Sequence, residues 1–275
     1  MLRQGLVLLL LGWAAARPAP RVVAPEQPKP IAVARLRLLN GKAEKLTPGQ
    51  GWREIRSGAR LATGDKLRVG DDSLLSIEFP WMRISAAANT TLGVDAGRLL
   101  ATSLEEGRLE QDAEAGIIKL RTPEALVRGE GQVVVRRMNG ATAVAVVRGS
   151  FRVQAAQLTV VVRQGQGTVV EAGKPPEIPV ALPAAPESVS PGKDPVYVQK
   201  GKPILLSWSP SGPANHIQVY GLEADDLLIA RDVPAPPVEI ELPLAGTYRW
   251  RVVARTDRGL EGVPSTEGLV CVVDK

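Results

Sequence analysis

The chain has 275 residues, with 34 Lys and Arg against 29 Asp and Glu, a net charge of +5 at pH 7. One His and one Cys exclude an intrachain disulfide and any metal centre built from several histidines. With 27 Gly, 23 Pro, only two Phe and abundant Val, the composition favours an all-β chain, long enough for two domains with cores of their own.

Met1-Leu2-Arg3 supplies a short positive start, and Gly5 to Trp13 is almost wholly apolar. That segment is shorter than the roughly 20 residues of a spanning helix. Ala14-Ala15-Ala16 offers a cleavage site, so residues 1–16 read as a secretory signal peptide and the mature protein as periplasmic or secreted. No later segment reaches spanning length, and no transmembrane segment is expected in the mature chain. Residues 17–30 read as a Pro-rich leader.

From residue 31 the pattern is of short strands. Ala32 to Leu38 alternates, and Asn40-Gly41 then reads as a hairpin turn. In Gly58 to Ser73, Gly64-Asp65 and Gly70-Asp71 are turn dipeptides, because Gly accepts positive φ and Asp bonds its own backbone. Leu67 and Val69 alternate between them with Lys66 and Arg68, as in a half-buried strand. Leu74 to Phe79 and Met82 to Ile84 continue as strands around Pro80-Trp81. Leu99 to Ala115 is acidic and reads as a helical turn or a loop. Ile117 to Pro123, the Asn139-Gly140 hairpin and Gly165-Gln166-Gly167 follow.

The set Gly58, Leu61, Gly64, Asp65, Leu67, Gly70 and Ser73 resembles the core motif of the FecR domain, named for the ferric-citrate regulator of bacterial envelopes. Ile117 to Pro123 is similar to its second signature, a strand ending in Thr-Pro; Glu130 after Gly129 departs from the pattern. The resemblance covers residues 31–173. It implies a non-catalytic domain that works by contacting a partner protein. Regulators of that type carry a cytoplasmic part and a membrane helix before the domain, where this chain has a signal peptide. Contact with a cytoplasmic sigma factor is therefore not expected.

Seven arginines stand late in this region: Arg121, Arg128, Arg136, Arg137, Arg148, Arg152 and Arg163. At period two several would share one strand face. Such a face could meet an anionic glycan, lipid or acidic protein, or could be a solvated guard against aggregation. No aromatic ladder accompanies it, and nucleic acid is not expected. Residues 31–173 carry 20 basic against 15 acidic side chains, and residues 174–275 carry 10 against 13.

Residues 174–195 hold seven prolines and read as a semi-rigid linker that resists helix and sheet. Residues 196–275 then alternate in Ile204 to Trp208, His216 to Tyr220, Val238 to Leu242 and Gly246 to Ala254. Tyr248, Trp250, Val252 and Ala254 share one face. The segment resembles a fibronectin type III or Ig-like sandwich, with Trp208, Tyr220, Tyr248 and Trp250 as packing residues and Tyr248 as a tyrosine corner.

No phosphate loop, dinucleotide fingerprint or pair of catalytic acids is marked. His216 reads as a partly exposed polar residue, Cys271 as a small buried hydrophobe, and Asp71-Asp72 and Asp225-Asp226 as solvated turns. No cofactor and no metal are expected. The sequence reads as a non-enzymatic exported protein acting as a protein-binding scaffold or signalling accessory, or as a polysaccharide-associated module using the Arg-rich face.

Overall fold

The computed structural model describes residues 34–96, 100–222 and 226–274. The segments expected to be a signal peptide and a Pro-rich leader, and Asp225, lie outside the described residues. The fold is all-β.

Fourteen strands form the first unit: β1 (Arg35–Asn40), β2 (Ala43–Leu46), β3 (Trp52–Glu54), β4 (Lys66–Val69), β5 (Leu74–Phe79), β6 (Met82–Ala86), β7 (Thr91–Ala96), β8 (Leu100–Ala113), β9 (Ile118–Arg121), β10 (Leu126–Met138), β11 (Ala141–Ala155), β12 (Leu158–Arg163), β13 (Gln166–Glu171) and β14 (Val180–Ala181). Three long strands belong to two layers at once. The first half of β8 pairs with β7 and β9, the second half with β6 and β10. Strand β10 pairs with β9 over Leu126–Gly129 and with β8 over Gln132–Arg137. Strand β11 pairs with β13 over Ala141–Val146 and with β12 over Ser150–Ala155. Sheet I is thus β3-β2-β4-β7-β8-β9-β10-β11-β12, and sheet II is β1-β5-β6-β8-β10-β11-β13-β14.

Glycines make the corners. Gly107, Gly131 and Gly149 have φ of 96°, 109° and 86°, and Gly131 lies opposite Gly149 in the β10–β11 ladder. A Cβ on Gly149 would lie 2.0 Å from Glu130 O. The inner faces of both sheets close over one core that includes Leu36, Leu67, Ile77, Ile84, Leu104, Leu120, Val135, Phe151 and Val170.

Residues of the Gly58–Ser73 segment brace this unit through buried polar contacts and backbone bonds. The carboxylate of Asp65, fully buried, accepts Ala62 N–H at 2.8 Å and faces Lys45 Nζ at 3.3 Å. Ser73 Oγ accepts Lys42 N–H at 2.8 Å and donates to Asp71 O at 2.8 Å, while Gly70 N–H bonds Lys42 O. Gly58 N–H bonds Leu36 O, and Gly64 N–H bonds Val94 O.

The second unit pairs β15 (Glu187–Ser190), β17 (Ile204–Ser209) and β20 (Val238–Ile240) in one sheet. Facing it are β16 (Val196–Gln199), β23 (Gly268–Val273), β21 (Gly246–Arg255), β18 (Ala214–Gly221) and β19 (Asp226–Val233), with β22 (Glu261–Pro264) on β21. Trp208 and Trp250 meet in the core with ring centroids 6.2 Å apart. Tyr248 Oη donates to Leu244 O at 2.7 Å, the bond a tyrosine corner makes.

Several sequence expectations are corrected. Asn40-Gly41 turns the chain, but β1 pairs with β5 and β2 with β3 and β4, so the turn passes between sheets and closes no hairpin. The acidic stretch after Leu99 is the 14-residue strand β8: Glu105, Glu110 and Asp112 are paired with Lys66, Arg108 and Arg148, and the inward Leu104 and Leu109 are buried. Residues 174–195 do form sheet: β14 extends sheet II, and β15 pairs with β17. Cys271 is only half-buried, beside Thr247 Oγ1 at 3.6 Å.

Candidate functional site

Two charged surfaces stand out, one buried between the sandwiches and one open. The buried one is the outer face of sheet II, where Arg108 and Glu110 on β8 and Arg136 on β10 project away from the core residues Leu109, Val133 and Val135. They meet β18, β19, β21 and β22 of the second sandwich. Arg108 grips Glu261 through both Nε (2.8 Å) and Nη2 (3.0 Å), and Nη2 also reaches Glu110 at 3.0 Å. Arg136 bonds Glu261 Oε1 at 2.9 Å and both oxygens of Asp232 at 2.8 and 2.9 Å. Asp232 in turn accepts from His216 Nδ1 at 2.8 Å and faces Arg255 at 3.5 Å.

Arg108 and Glu261 each keep only 3% side-chain exposure. Burial alone would push the Glu261 carboxyl up, but Arg108 and, after it, Arg136 hold it well below the usual carboxylate range. Asp232 is likewise held low: against burial stand the His216 hydrogen bond and Arg136. Glu110 is held low against burial by Arg108 and Arg251. Burial, with Arg108 beside it, pulls His216 below its ordinary value.

Apolar contacts flank the cluster on both sides. Val134, Ala143, Ala145 and Val169 pack on Leu260 and Leu182, and Leu74 and Ala87 pack on Leu227 and Ala230. Gly167 has no side chain because Leu260 occupies that space: a Cβ there would lie 2.3 Å from Leu260 Cδ1. Tyr220 belongs to this face and not to the Trp208–Trp250 core. Its ring lies under Arg249 and Arg251 at 4.4 and 5.1 Å, and burial raises its phenol to about 12. Position parity on β18 puts Ile217 and Val219 inward and leaves Tyr220 outward with His216. His216, expected to be partly exposed, is 1% exposed for the same reason.

The open surface is the outer face of sheet I. Cross-strand register lines up Lys119 on β9, Arg128 on β10 and Arg152 on β11, directly opposite one another, with Val161 of β12 next in the row. Arg121 and Arg163 stand two residues away on β9 and β12. The four arginines are exposed and Lys119 is half-buried. Among the described residues, none of the five side chains makes an ion pair or a hydrogen bond. Next to the row lies a shallow trough of about 320 Å³, lined by Gly93, Ala101 and Ser103, by Lys66, Lys119 and Arg121, and by Asp65 and Asp95.

The seven arginines therefore divide. Arg121, Arg128, Arg152 and Arg163 share the open face. Arg136 is buried in the joint, because its β10 position points to the other sandwich. Arg137 is tied to Glu124 at 2.8 Å and to Glu105 O, bracing the Thr122-Pro123 turn with Thr142. Arg148 pairs with Asp112 at 2.6 Å. The partners of Arg136, from residues 232 and 261, gave no signal in sequence beyond being acidic. No candidate cation site of three or more His, Cys, Asp or Glu occurs among the described residues, and no helix is long and apolar enough to cross a membrane.

No protein-family model matches the chain, and no curated protein matches it. Among solved structures, the chain is similar to two crystal structures of a candidate anti-sigma factor from Parabacteroides distasonis. Each is 16% identical, with TM-scores of 0.36 and 0.37, over 42% of this chain and 59% of the other.

Proposed function

We propose that this is a non-enzymatic binding protein of a bacterial envelope, exported by its signal peptide, whose contact surface is the outer face of sheet I and whose partner is an anionic polysaccharide. The observation that carries this reading is the row Lys119–Arg128–Arg152. Strands lie about 4.8 Å apart, and like charges directly opposite are destabilising. An edge guard would place such charges on outermost strands, but β9, β10 and β11 are interior to sheet I. A row of unpaired cations kept there at a cost to stability suits an anionic ligand lying across the strands. The adjoining trough favours a single polymer chain over a flat bilayer. The scarcity of aromatic or large apolar anchors in the row disfavours a tight protein interface.

A second reading, a protein-binding scaffold of FecR-like and fibronectin-like units, is favoured by Leu158 (58% exposed) and Val161 (43%) on edge strand β12 beside Arg152 and Arg163. The test is binding of the full chain to polygalacturonate, to neutral dextran, to anionic vesicles and to an envelope extract, over a salt series. Salt-sensitive binding to the polyuronate alone, lost in the Lys119→Gln/Arg128→Gln/Arg152→Gln variant, supports the first reading. A stoichiometric protein captured through high salt, with no polyuronate binding, overturns it in favour of the second.

A further inference from the structure

We propose that the joint between the two sandwiches is a proton-operated latch, in which protonation of His216 separates the second sandwich from sheet II while each keeps its own fold. The geometry has three parts. First, His216 on β18 sits at the centre of the joint, 1% exposed. It is faced by Asp232 from β19, Glu261 from β22, and Arg108 and Arg136 from β8 and β10 of the other sandwich. Arg255 of β21 stands behind Asp232, and Glu110 behind Arg108. Second, Arg108, Arg136 and Arg255 already balance Glu110, Glu261 and Asp232, so the cluster holds no spare negative charge for a further cation. Third, Nδ1–H is satisfied by Asp232 at 2.8 Å, whereas Nε2 is buried with no hydrogen-bond partner.

A neutral ring leaves only a lone pair unmatched at Nε2. A protonated ring would place a charged N–H there with no acceptor, in a cluster that already holds the Arg108 and Arg136 guanidinium groups. Buried charge without a partner is costly. Separation returns His216 to water, where it takes up the proton freely.

The direction follows from linkage. The ring is held below its ordinary value in the closed joint, by burial first and then by Arg108, and returns to about 6.5 once exposed. The closed form is therefore fully favoured above about pH 6.5 and loses ground as pH falls below it. One proton gives at most about a tenfold rise in the open fraction per pH unit. The two sandwiches have separate cores, one built around Phe151 and one around Trp250, so separation does not require unfolding.

His216 is the single histidine of the chain, which makes its imidazole signal unambiguous by NMR. The full chain is titrated from pH 8 to pH 5 while its radius of gyration is followed by X-ray scattering, with near-ultraviolet dichroism of Trp208 and Trp250 as the control for core integrity. The expected result is an imidazole that titrates below pH 6.5, a radius that rises in step with it, unchanged tryptophan dichroism, and loss of the rise in His216→Gln. The proposal is overturned if the radius stays constant to pH 5, if it rises without a change at the imidazole, or if His216→Gln opens over the same range. Should the variant misfold, the wild-type imidazole and scattering midpoints decide by coinciding or not.

Discussion

Arg108 and Glu261 lie 153 positions apart in the chain and meet through two parallel N–H···O contacts, at 2.8 and 3.0 Å, with almost no water access. Such fork-to-carboxylate geometry fixes direction as well as distance. It sets the rotation of one sandwich on the other, because both groups are carried on strands and not on loops.

Removing one member of that pair leaves the other charge stranded. Glu261→Gln is expected to cost about 3–5 kcal/mol, since Arg108 and Arg136 both lose a buried carboxylate. In urea denaturation the variant should show two separated transitions where the wild type shows one.

The corner glycines carry a second expectation. Gly149→Ala places a methyl carbon against the carbonyl of Glu130 at a backbone angle that disfavours side chains. The variant should lose more than about 1 kcal/mol and show reduced amide protection in β10 and β11. Gly140→Ala has open space around it and should lose less, although its φ of 72° is also positive.

Acid should weaken the joint further through its carboxylates. Glu261 and Glu110 have folded values below their unfolded ones, so their contribution is fully present above about pH 4.5 and is lost as pH falls toward the folded values. Below pH 4.5 thermal stability should therefore drop steeply in the wild type and less so in Glu261→Gln.

Neutralising the open cationic row should act in the opposite sense. Lys119→Gln/Arg128→Gln/Arg152→Gln removes like-charge neighbours and is expected to leave melting unchanged or raise stability by about 0.2–1 kcal/mol per pair. A loss of stability would mean the cations are braced by the fold itself.

Much of the architecture is legible in local sequence. Asn139-Gly140 closes the β10–β11 hairpin with φ of 52° and 72°, and Phe79 and Met82 close β5–β6 around Pro80-Trp81. Tyr248 and Trp250 point inward as alternation requires. The errors share a physical origin. Asn40-Gly41 has the same turn chemistry as Asn139-Gly140, yet a dipeptide cannot report whether the strands it joins remain neighbours. Strand β8 was obscured because Arg108 and Glu110 are charged on a face that is nonetheless buried, and only their partners at 232 and 261 make that face tolerable. For the candidate site, density of arginine was visible, while its division into open and buried sets depends on which strands carry a second layer. Arg128 and Arg136 lie on one strand with the same parity and still face different environments, because Gly131 bends β10 between them.

The shared joint bears on how this protein can have been inherited. Sandwich domains are often exchanged between genes as interchangeable beads, each indifferent to its neighbour. Here a transplanted C-terminal sandwich lacking acids at 232 and 261 would strand two guanidinium groups on sheet II, and one without Leu260 would leave the hollow over Gly167 unfilled. The two halves are thus bound to descend together, and substitutions at 108, 136, 232 and 261 should be found to change in concert across its lineage.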